Sequence, residues 1–319
     1  MQLYDTMEAY ARAGGECVAA LGMFDGVHMG HAALISEAVR QARALGVSAV
    51  VVTFKQNPVS VLCPERAPGD IQSLDERLSA IEALGVDAAI AEDFTPDYAR
   101  HTGLDFAKEM KDKLHVRAVV AGFNYSFGDK GACGVDELKA FGRELGFDVT
   151  IVPPVEVMGG AASSTRIRQY LAEGDIAGAS AIMGRPYEMC GVIAQGKHLG
   201  HTLGFATANI NIAPGRALPH AGVYVCAAKL DEGEWLPGVL NIGSQPTAPS
   251  GHKTCEVHIL RDVGDVYGRF MRVRFIEFRR PERKFAGLNE LRAQVEHDKA
   301  DAREYFACGE AIKRLNEGR

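Results

Sequence analysis

The stretch that decides the fold runs from Glu16 to Leu45 and reads ECVAALGMFDGVHMGHAALISEAVRQARAL. It begins with a short apolar run of the length of a buried strand, continues through a glycine-rich turn, and ends with apolar residues at helical spacing. This order predicts a strand, a tight turn and a helix, which together form the first repeat of an α/β sheet.

The same alternation continues to about residue 184. Apolar runs rich in β-branched residues alternate with amphipathic segments such as LDERLSAIEALG, LDFAKEMKDKL and VDELKAFGRELG; the runs are VSAVVVTF, DAAIAE, RAVVAGF and VTIVPPV. Strands and helices in this rhythm are typical of a doubly wound, Rossmann-like parallel sheet. Two more helical segments, TRIRQYLAEG and IAGASAIMG, end this part of the chain.

From GRPYEMCGV onward the pattern changes to short strands separated by turn residues. The strand segments are CGVIAQG, AGVYVCAAKL, LPGVLNIG, TCEVHIL and FMRVRFIEF, and one long amphipathic segment follows them. This texture predicts a small antiparallel β-barrel with a C-terminal helix. The sequence therefore predicts two domains, residues 1–184 and residues 185–319.

Composition limits the class of protein. The formal charge of −6 and the sequence pI near 6.0 argue against a general nucleic-acid binder, which would carry a basic face. No stretch reaches the ~18 apolar residues of a membrane span, and the first residues lack the apolar core of a signal peptide, so the expectation is a cytoplasmic protein without a membrane partner. The seven cysteines form no CxxC pair and are expected to be reduced, mostly buried thiols. Oligomeric state stays open.

His28 and His31 lie in the glycine-rich turn, at the predicted carboxyl end of the first strand. Open α/β sheets bind ligands at that edge, and a helix N-terminus with nearby glycines favours a phosphate group. An isolated HxxH pair is more often structural than functional. A zinc site is disfavoured because no third ligand has suitable spacing. The residues alone leave an anion site and two structural histidines as alternatives.

Three strings together resemble a known family. GMFDGVHMGH resembles the HxGH signature of nucleotidylyltransferases, and FDGVHMGH resembles the adenylylating module of bacterial FAD synthetases. AGFNYSFGDKGACG, residues 121–134, is similar to a GxDFRFGK-type loop of that module, with Asn124 in the polar position, and SSTRIR, residues 163–168, is similar to its SSTxIR loop. The resemblance implies that both histidines contact ATP phosphates and stabilise charge as pyrophosphate leaves.

SSTRIR also has a chemical interpretation of its own. The hydroxyls of Ser164 and Thr165 could cap the helix that follows, and Arg168 could reach a triphosphate. The resemblance assigns Arg168 to catalysis, and it implies nucleotide contacts for Gly22, Phe24, Asp25, Gly26, Asn124, Ser164 and Thr165.

The second half resembles riboflavin kinases. GHTLGFATANI is similar to their G+xxGFPTAN motif, and GVYV, GVLNIGSQPT, CEVHIL and RPERKF follow in the family order. The neighbouring GVIAQGKH is not a phosphate-binding P-loop, because His198 replaces the required hydroxyl residue and glycines follow where a helix is needed. The resemblance implies that Thr207 and Asn209 hold Mg²⁺, that Glu256 is the base, and that Gly196, Lys197 and Gly204 bind the nucleotide. Without the family, Glu256 would be interpreted as an exposed strand position.

The combined resemblance implies a bifunctional riboflavin kinase and FMN adenylyltransferase, with ATP, riboflavin and FMN as substrates, FAD as the final product and Mg²⁺ as cofactor. Riboflavin offers a neutral hydroxyl, so its phosphorylation needs a base and a metal. FMN brings an ionised phosphate, so its adenylylation needs only positive charge and hydrogen-bond donors around the leaving pyrophosphate.

Four positions depart from the family pattern. TFKQNP has Gln56 and Asn57 where the family has Pro-His, which affects contacts at that loop. Ala206 replaces a proline and so removes backbone rigidity, while His201 replaces an arginine and so removes a permanent charge. An alternative hypothesis is therefore an active adenylyltransferase with a weakened, flavin-binding or regulatory kinase domain, although the retained Thr207, Asn209 and Glu256 favour two activities.

Overall fold

The protein is described from a computed structural model, which covers residues 1–194, 207–244 and 253–307. The chain divides into two compact units, Met1–Ser164 and Thr165–Arg319. The domain boundary predicted after residue 184 remains a proposal about where the second functional domain begins.

The first unit is built on a parallel sheet flanked by helices. Its strands are β1 (Gln2–Tyr4), β2 (Cys17–Leu21), β3 (Ser48–Phe54), β4 (Ala88–Glu92), β5 (Val116–Gly122), β6 (Asp148–Val152), β7 (Glu156–Val157) and β8 (Gly160–Ala161). Its helices are α1 (Met7–Ala11), α2 (Met29–Leu45), α3 (Pro58–Leu62), α4 (Leu74–Glu82), α5 (Gly103–Leu114) and α6 (Val135–Leu145).

Six of these strands form one sheet in the order β1-β4-β3-β2-β5-β6, and every pairing in it is parallel. Every residue of β2 and β4 is buried, because helices cover both faces of the sheet. One face packs against Met110, Leu114 and Leu138, and the other against Leu34, Ile35 and Ile81. The predicted Rossmann-like class is confirmed.

The second unit contains a closed six-stranded barrel. Two helices precede it, α7 (Ser164–Glu173), whose first residue belongs to the first unit, and α8 (Ile176–Met183). The strands are β9 (Glu188–Ala194), β10 (Ala208–Ile210), β11 (Gly222–Leu230), β12 (Trp235–Ser244), β13 (Lys253–Ile259) and β14 (Phe270–Pro281), and α9 (Leu288–Ala307) follows them.

The barrel order is β10-β13-β12-β11-β14-β9, with antiparallel pairing throughout. Its inside is filled by alternate residues of each strand, such as Cys255 and Val257 of β13, both of which are fully buried. The long helix α9 packs Ala302 and Phe306 against the outer face of β11. The predicted antiparallel barrel and its helix are confirmed.

The helices α7 and α8 pack on this barrel. The backbone N–H of His220 donates to the carbonyl of Leu171 at 2.8 Å, and that of Tyr187 donates to the hydroxyl of Ser180 at 3.1 Å. Residues 165–183 therefore belong structurally to the unit that contains the barrel.

All six cysteines within the described ranges are free thiols. Cys17, Cys226 and Cys255 are buried, and burial raises the pKa of Cys17 and of Cys255 to about 12. Within the same ranges, no helix is long and apolar enough to cross a bilayer.

Candidate active sites

The turn between β2 and α2 has an unusual backbone. Phe24 and Val27 adopt positive φ angles of 55° and 35°, and Gly26 between them adopts 82°. Residues other than glycine rarely adopt positive φ angles, so the backbone of the turn is strained at Phe24 and at Val27. The ring of Phe24 is fully buried, and a Cβ atom at Gly22 would lie 2.9 Å from it. The predicted site residues Gly22, Phe24 and Gly26 thus fix the path of the chain into α2.

The two histidines of the turn are in contact. His28 is the N-cap of α2, and its Nδ1 accepts a hydrogen bond from the backbone N–H of His31 at 3.3 Å. Their rings are stacked, with centroids 3.6 Å apart and planes inclined by 19°. Since Nδ1 of His28 acts as an acceptor, the neutral ring carries its proton on Nε2. The two imidazole rings therefore lie side by side at the start of α2.

The helix α2 adds a favourable electrostatic field. It is 17 residues long and has no acidic residue in its first turn, so no carboxylate of that turn offsets its positive end. Backbone N–H groups at such an end bind phosphate groups. Among the described residues, no group of three or more His, Cys, Asp and Glu side chains could hold a metal ion.

Ser164 connects the SSTRIR segment to the same turn. Its hydroxyl donates to the backbone carbonyl of Asp25 at 2.7 Å. The expected capping role is wrong for both hydroxyl residues, because α7 already begins at Ser164 and Thr165 is its second residue. Arg168 lies in the same helix, one turn after Ser164.

Asn124 follows the carboxyl end of β5, the neighbour of β2 in the sheet. Its side chain is exposed, and its Oδ1 would lie 3.4 Å from a Cβ atom at Gly122. Leu34 of α2 lines the same space. Asn124 and the histidine turn thus lie at the same edge of the sheet.

Asp25 and Arg77 form a buried polar frame behind the turn, and both side chains are only 3% exposed. The carboxylate of Asp25 accepts backbone N–H groups of Ile71, at 3.0 and 3.1 Å, and of Gln72, at 3.2 Å. The guanidinium of Arg77 donates to backbone carbonyls at the ends of β2 and β3. Sequence reasoning missed Arg77, although an arginine next to Leu78 on the apolar side of a predicted helix was an available signal.

Gln56 and Asn57, which depart from the family pattern, have local structural partners. The side-chain amide of Gln56 donates to the carbonyl of Phe94 at 3.1 Å and so links the loops after β3 and β4. Asn57 caps α3, because its Oδ1 accepts the backbone N–H of Val59 at 3.0 Å. The two substitutions therefore stabilise the loop itself.

The barrel brings three polar residues into one row on its outer face. Asn209 of β10 pairs directly with Glu256 of β13, and Glu256 pairs directly with Asn241 of β12. Directly opposed residues on neighbouring strands point to the same face, so the three side chains are adjacent. Asn241 was not predicted as a site residue.

Glu256 is half-buried. The local sequence, interpreted without the family resemblance, predicts an exposed strand position instead. Burial raises the pKa of Glu256 above its ordinary value, and the nearby carboxylate of Glu282 adds to the rise. Glu282 also lies beside the row, since a Cβ atom at Gly243 would be 2.5 Å from its Oε1 and 2.9 Å from Nδ2 of Asn241. A carboxylate with a raised pKa holds a proton more readily, as a general base requires.

Thr207 immediately precedes β10 and is half-buried. The predicted nucleotide-binding residues Gly196, Lys197 and Gly204 lie outside the described residues. The departures His201 and Ala206 lie there as well.

Comparisons with known proteins match both halves of the chain. A family model described as FAD synthetase matches residues 11–166, and one described as riboflavin kinase matches residues 183–306. A crystal structure described as a macrolide-efflux protein from Streptococcus pneumoniae matches with a TM-score of 0.83 at 29% identity, covering 95% of this chain and 99% of that chain.

Two relatives carry the name bifunctional riboflavin kinase/FMN adenylyltransferase. The one from Escherichia coli strain K12 is 35% identical over 91% of this chain and 93% of its own length. The one from Listeria monocytogenes is 36% identical over 91% of this chain and 92% of its own length. With both family models in sequence order and relatives matched over nearly their whole length, this chain belongs to the family of bifunctional riboflavin kinase/FMN adenylyltransferases.

Proposed function

We propose that the two reactions of this enzyme, phosphorylation of riboflavin to FMN and adenylylation of FMN to FAD with release of pyrophosphate, are carried out at two separate sites. The adenylylation site is the histidine turn at the start of α2, and the kinase site is the polar row on the barrel. ATP is a substrate of both. The observation that carries the proposal is the stacked pair of His28 and His31 at the positive end of a long helix.

The histidine turn fits adenylyl transfer. The phosphate of FMN is already ionised, so it attacks the α-phosphorus of ATP without a base, and negative charge grows on the departing pyrophosphate. Imidazole N–H donors and helix N–H groups stabilise such charge when they are fixed in place beforehand. His28 and His31 supply the imidazoles in this proposal.

The other predicted residues of this site have supporting roles. Gly22, Phe24 and Gly26 shape the turn so that the nucleotide can approach the backbone, and Asp25 orients it through the 71–72 segment. Asn124 contributes a polar side chain from the end of β5. We propose nucleotide contacts for Ser164, Thr165 and Arg168 from their motif and from the hydrogen bond of Ser164 to the turn.

The polar row fits phosphorylation of an alcohol. Glu256 accepts the proton of the ribityl hydroxyl of riboflavin, and its raised pKa suits that role. Thr207 and Asn209 offer hydroxyl and amide oxygens, the donor type that Mg²⁺ prefers, and Mg²⁺ commonly has few protein ligands beside substrate phosphates. When bound, Mg²⁺ would neutralise charge on the ATP phosphates. We propose by family resemblance that Gly196, Lys197 and Gly204 bind the nucleotide.

Two variants of the full chain test whether the sites are separate. In His28→Ala/His31→Ala, FAD formation from supplied FMN should fall by about 10² to 10³, the effect of losing an oriented donor, while FMN formation is spared. In Glu256→Gln, FMN formation should fall by ~10² to 10⁴, while FAD formation from supplied FMN is spared. Both reactions are followed by chromatographic separation of the flavins, with ATP and Mg²⁺ present.

Opposite results would contradict the assignments. Equal loss of both products in the histidine variant would indicate a shared site or misfolding. A wild-type rate of riboflavin phosphorylation in Glu256→Gln would move the base to another carboxylate, with Asp262 and Asp265 as the next candidates. Wild-type enzyme that converts FMN to FAD but leaves riboflavin unchanged would support the alternative of a weakened kinase domain.

A further inference from the structure

Arg77 occupies a position where an arginine needs a specific reason. It lies on α4, and its side chain is buried. Burial lowers the pKa of the guanidinium, with the carboxylates of Asp25 and Asp70 acting in the opposite direction. A buried charge is tolerated only where hydrogen bonds or opposite charges compensate for lost water.

The compensating acceptors are three backbone carbonyls. Nη1 of Arg77 donates to the carbonyl of Met23 at 2.9 Å, while Nη2 donates to those of Phe54, at a shorter distance, and Lys55, at 3.3 Å. Met23 follows the end of β2, and the other two carbonyls lie at the end of β3. One planar side chain therefore ties together the carboxyl ends of two neighbouring strands.

Two further sets of hydrogen bonds hold the strained turn in place. The hydroxyl of Thr53 donates to the carbonyl of Met23 at 3.1 Å. Asp25 binds the backbone of Ile71 and Gln72, which lead into α4. Backbone strain of the kind found at Phe24 and Val27 persists only when surrounding contacts over-determine it.

We propose that Arg77 is a positioning residue for adenylyl transfer, which holds the turn from Met23 to Val27 and thereby sets the orientation of the His28–His31 pair. This inference rests on the proposed role of that pair. Arg77 acts through the backbone carbonyls of Met23, Phe54 and Lys55, and not by contact with the histidines. Its loss should reduce the stabilisation of the departing pyrophosphate more than it reduces substrate binding.

The first test compares kinetic constants in the full chain. Arg77→Lys keeps a positive charge but cannot donate to three carbonyls in a fixed plane. For FAD formation, kcat should fall by about 10- to 100-fold, because small displacements of catalytic groups have effects of this size. The KM values for FMN and ATP should stay within about twofold, since binding in the ground state uses many other groups. Riboflavin phosphorylation in the same sample is the internal control and should not change.

A second test uses Arg77→Ala and added methylguanidinium, which should partly restore kcat by occupying the vacated space. The matched control is Leu138→Ala, which removes a fully buried side chain on the opposite face of the sheet. The control should lose stability without a comparable loss of kcat per folded molecule, and methylguanidinium should not increase its rate. Thermal unfolding measures the folded fraction of each variant.

Several outcomes would overturn the inference. A wild-type kcat in Arg77→Lys would do so, as would an effect on KM alone. Equal losses of kcat in Arg77→Lys and Leu138→Ala would show a purely structural role, and so would equal responses of Arg77→Ala and Leu138→Ala to methylguanidinium. A normal rate of FAD formation in His28→Ala/His31→Ala would refute the role of the histidine pair first, and the inference with it.

Discussion

Glu92, the last residue of β4, carries a carboxylate that has lost most of its contact with water. Its side chain is 8% exposed, and its Oε1 accepts the backbone N–H of Met7 at 2.9 Å. Burial raises the pKa of Glu92 above the ordinary value of 4.5, and the carboxylates of Glu109 and Glu8 add to the rise. The folded protein therefore binds a proton here more tightly than the unfolded chain does.

This linkage predicts the effect of Glu92→Gln on stability. The folded-state pKa is raised, so the wild type loses stability as the pH rises from 4.5 through the folded-state value. The amide stays neutral and can still accept the bond from Met7. Thermal unfolding should show the variant to be more stable than the wild type at mildly alkaline pH, with the difference shrinking as the pH falls toward 4.5.

A matched control is Glu144→Gln, at an exposed position of α6. It should not reproduce this pH-dependent gain. A Glu92→Gln variant that is less stable than the wild type at alkaline pH would show that the ionised carboxylate has a partner that compensates for its burial.

At the scale of elements, the connection from β2 through the histidine turn to α2 depends on close packing at Gly22. A methyl group there would lie 2.9 Å from the Phe24 ring, which is fully buried. Gly22→Ala should therefore cost about 1 to 3 kcal/mol of stability, as overpacked sites do. FAD formation should fall by up to ~10²-fold through displacement of the turn, and riboflavin phosphorylation should be unaffected.

Gly15→Ala provides the control, because a Cβ atom at Gly15, shortly before β2, would meet nothing within 4 Å. Both variants are compared by thermal unfolding and by the two flavin assays. Unimpaired FAD formation in Gly22→Ala would mean that the turn accommodates the methyl group, and it would weaken the link between turn geometry and adenylyl transfer.

The elements also show what the sequence could and could not predict. Long periodic segments such as α2 and α5, and apolar runs such as β3, were predictable because many residues repeat the same signal. The edge strand β1 was missed because three residues are too few to show a pattern, and its pairing with β4 comes from residues more than 80 positions away.

The candidate sites divide in the same way. The histidine turn and the Ser164 segment were recognisable because each is a short local motif. Arg77 was missed because its carbonyl partner at Met23 lies 54 positions away, and its place next to Leu78 on the apolar side of a predicted helix does not by itself identify that partner. Asn241 and Glu282 join Glu256 only through barrel pairing and loop position, which a linear sequence does not display.

At the scale of the whole molecule, we propose that residues 185–319 fold on their own and retain the kinase activity of the full chain, because the closed barrel and α9 contain their own core. A longer fragment, residues 165–319, should unfold at a higher temperature, since it keeps the hydrogen bonds that α7 and α8 make with the residues that lead into the barrel strands. Riboflavin phosphorylation and thermal unfolding of both fragments check this expectation.

The full chain is the reference for both fragments. An insoluble or inactive 185–319 fragment beside an active 165–319 fragment would place the functional boundary before α7. Inactivity of both fragments beside an active full chain would show that kinase activity depends on the first unit.

Alkylation of the buried thiols would report when the region around each of them unfolds. The thiolate is the form of cysteine that attacks alkylating reagents, and a thiol whose pKa is near 12 hardly ionises at neutral pH. Cys17 belongs to the first unit, while Cys226 and Cys255 belong to the second. A brief pulse of alkylating reagent during denaturation, followed by mass spectrometry of the cysteine-containing peptides, would therefore show when each unit unfolds. No engineered label is needed.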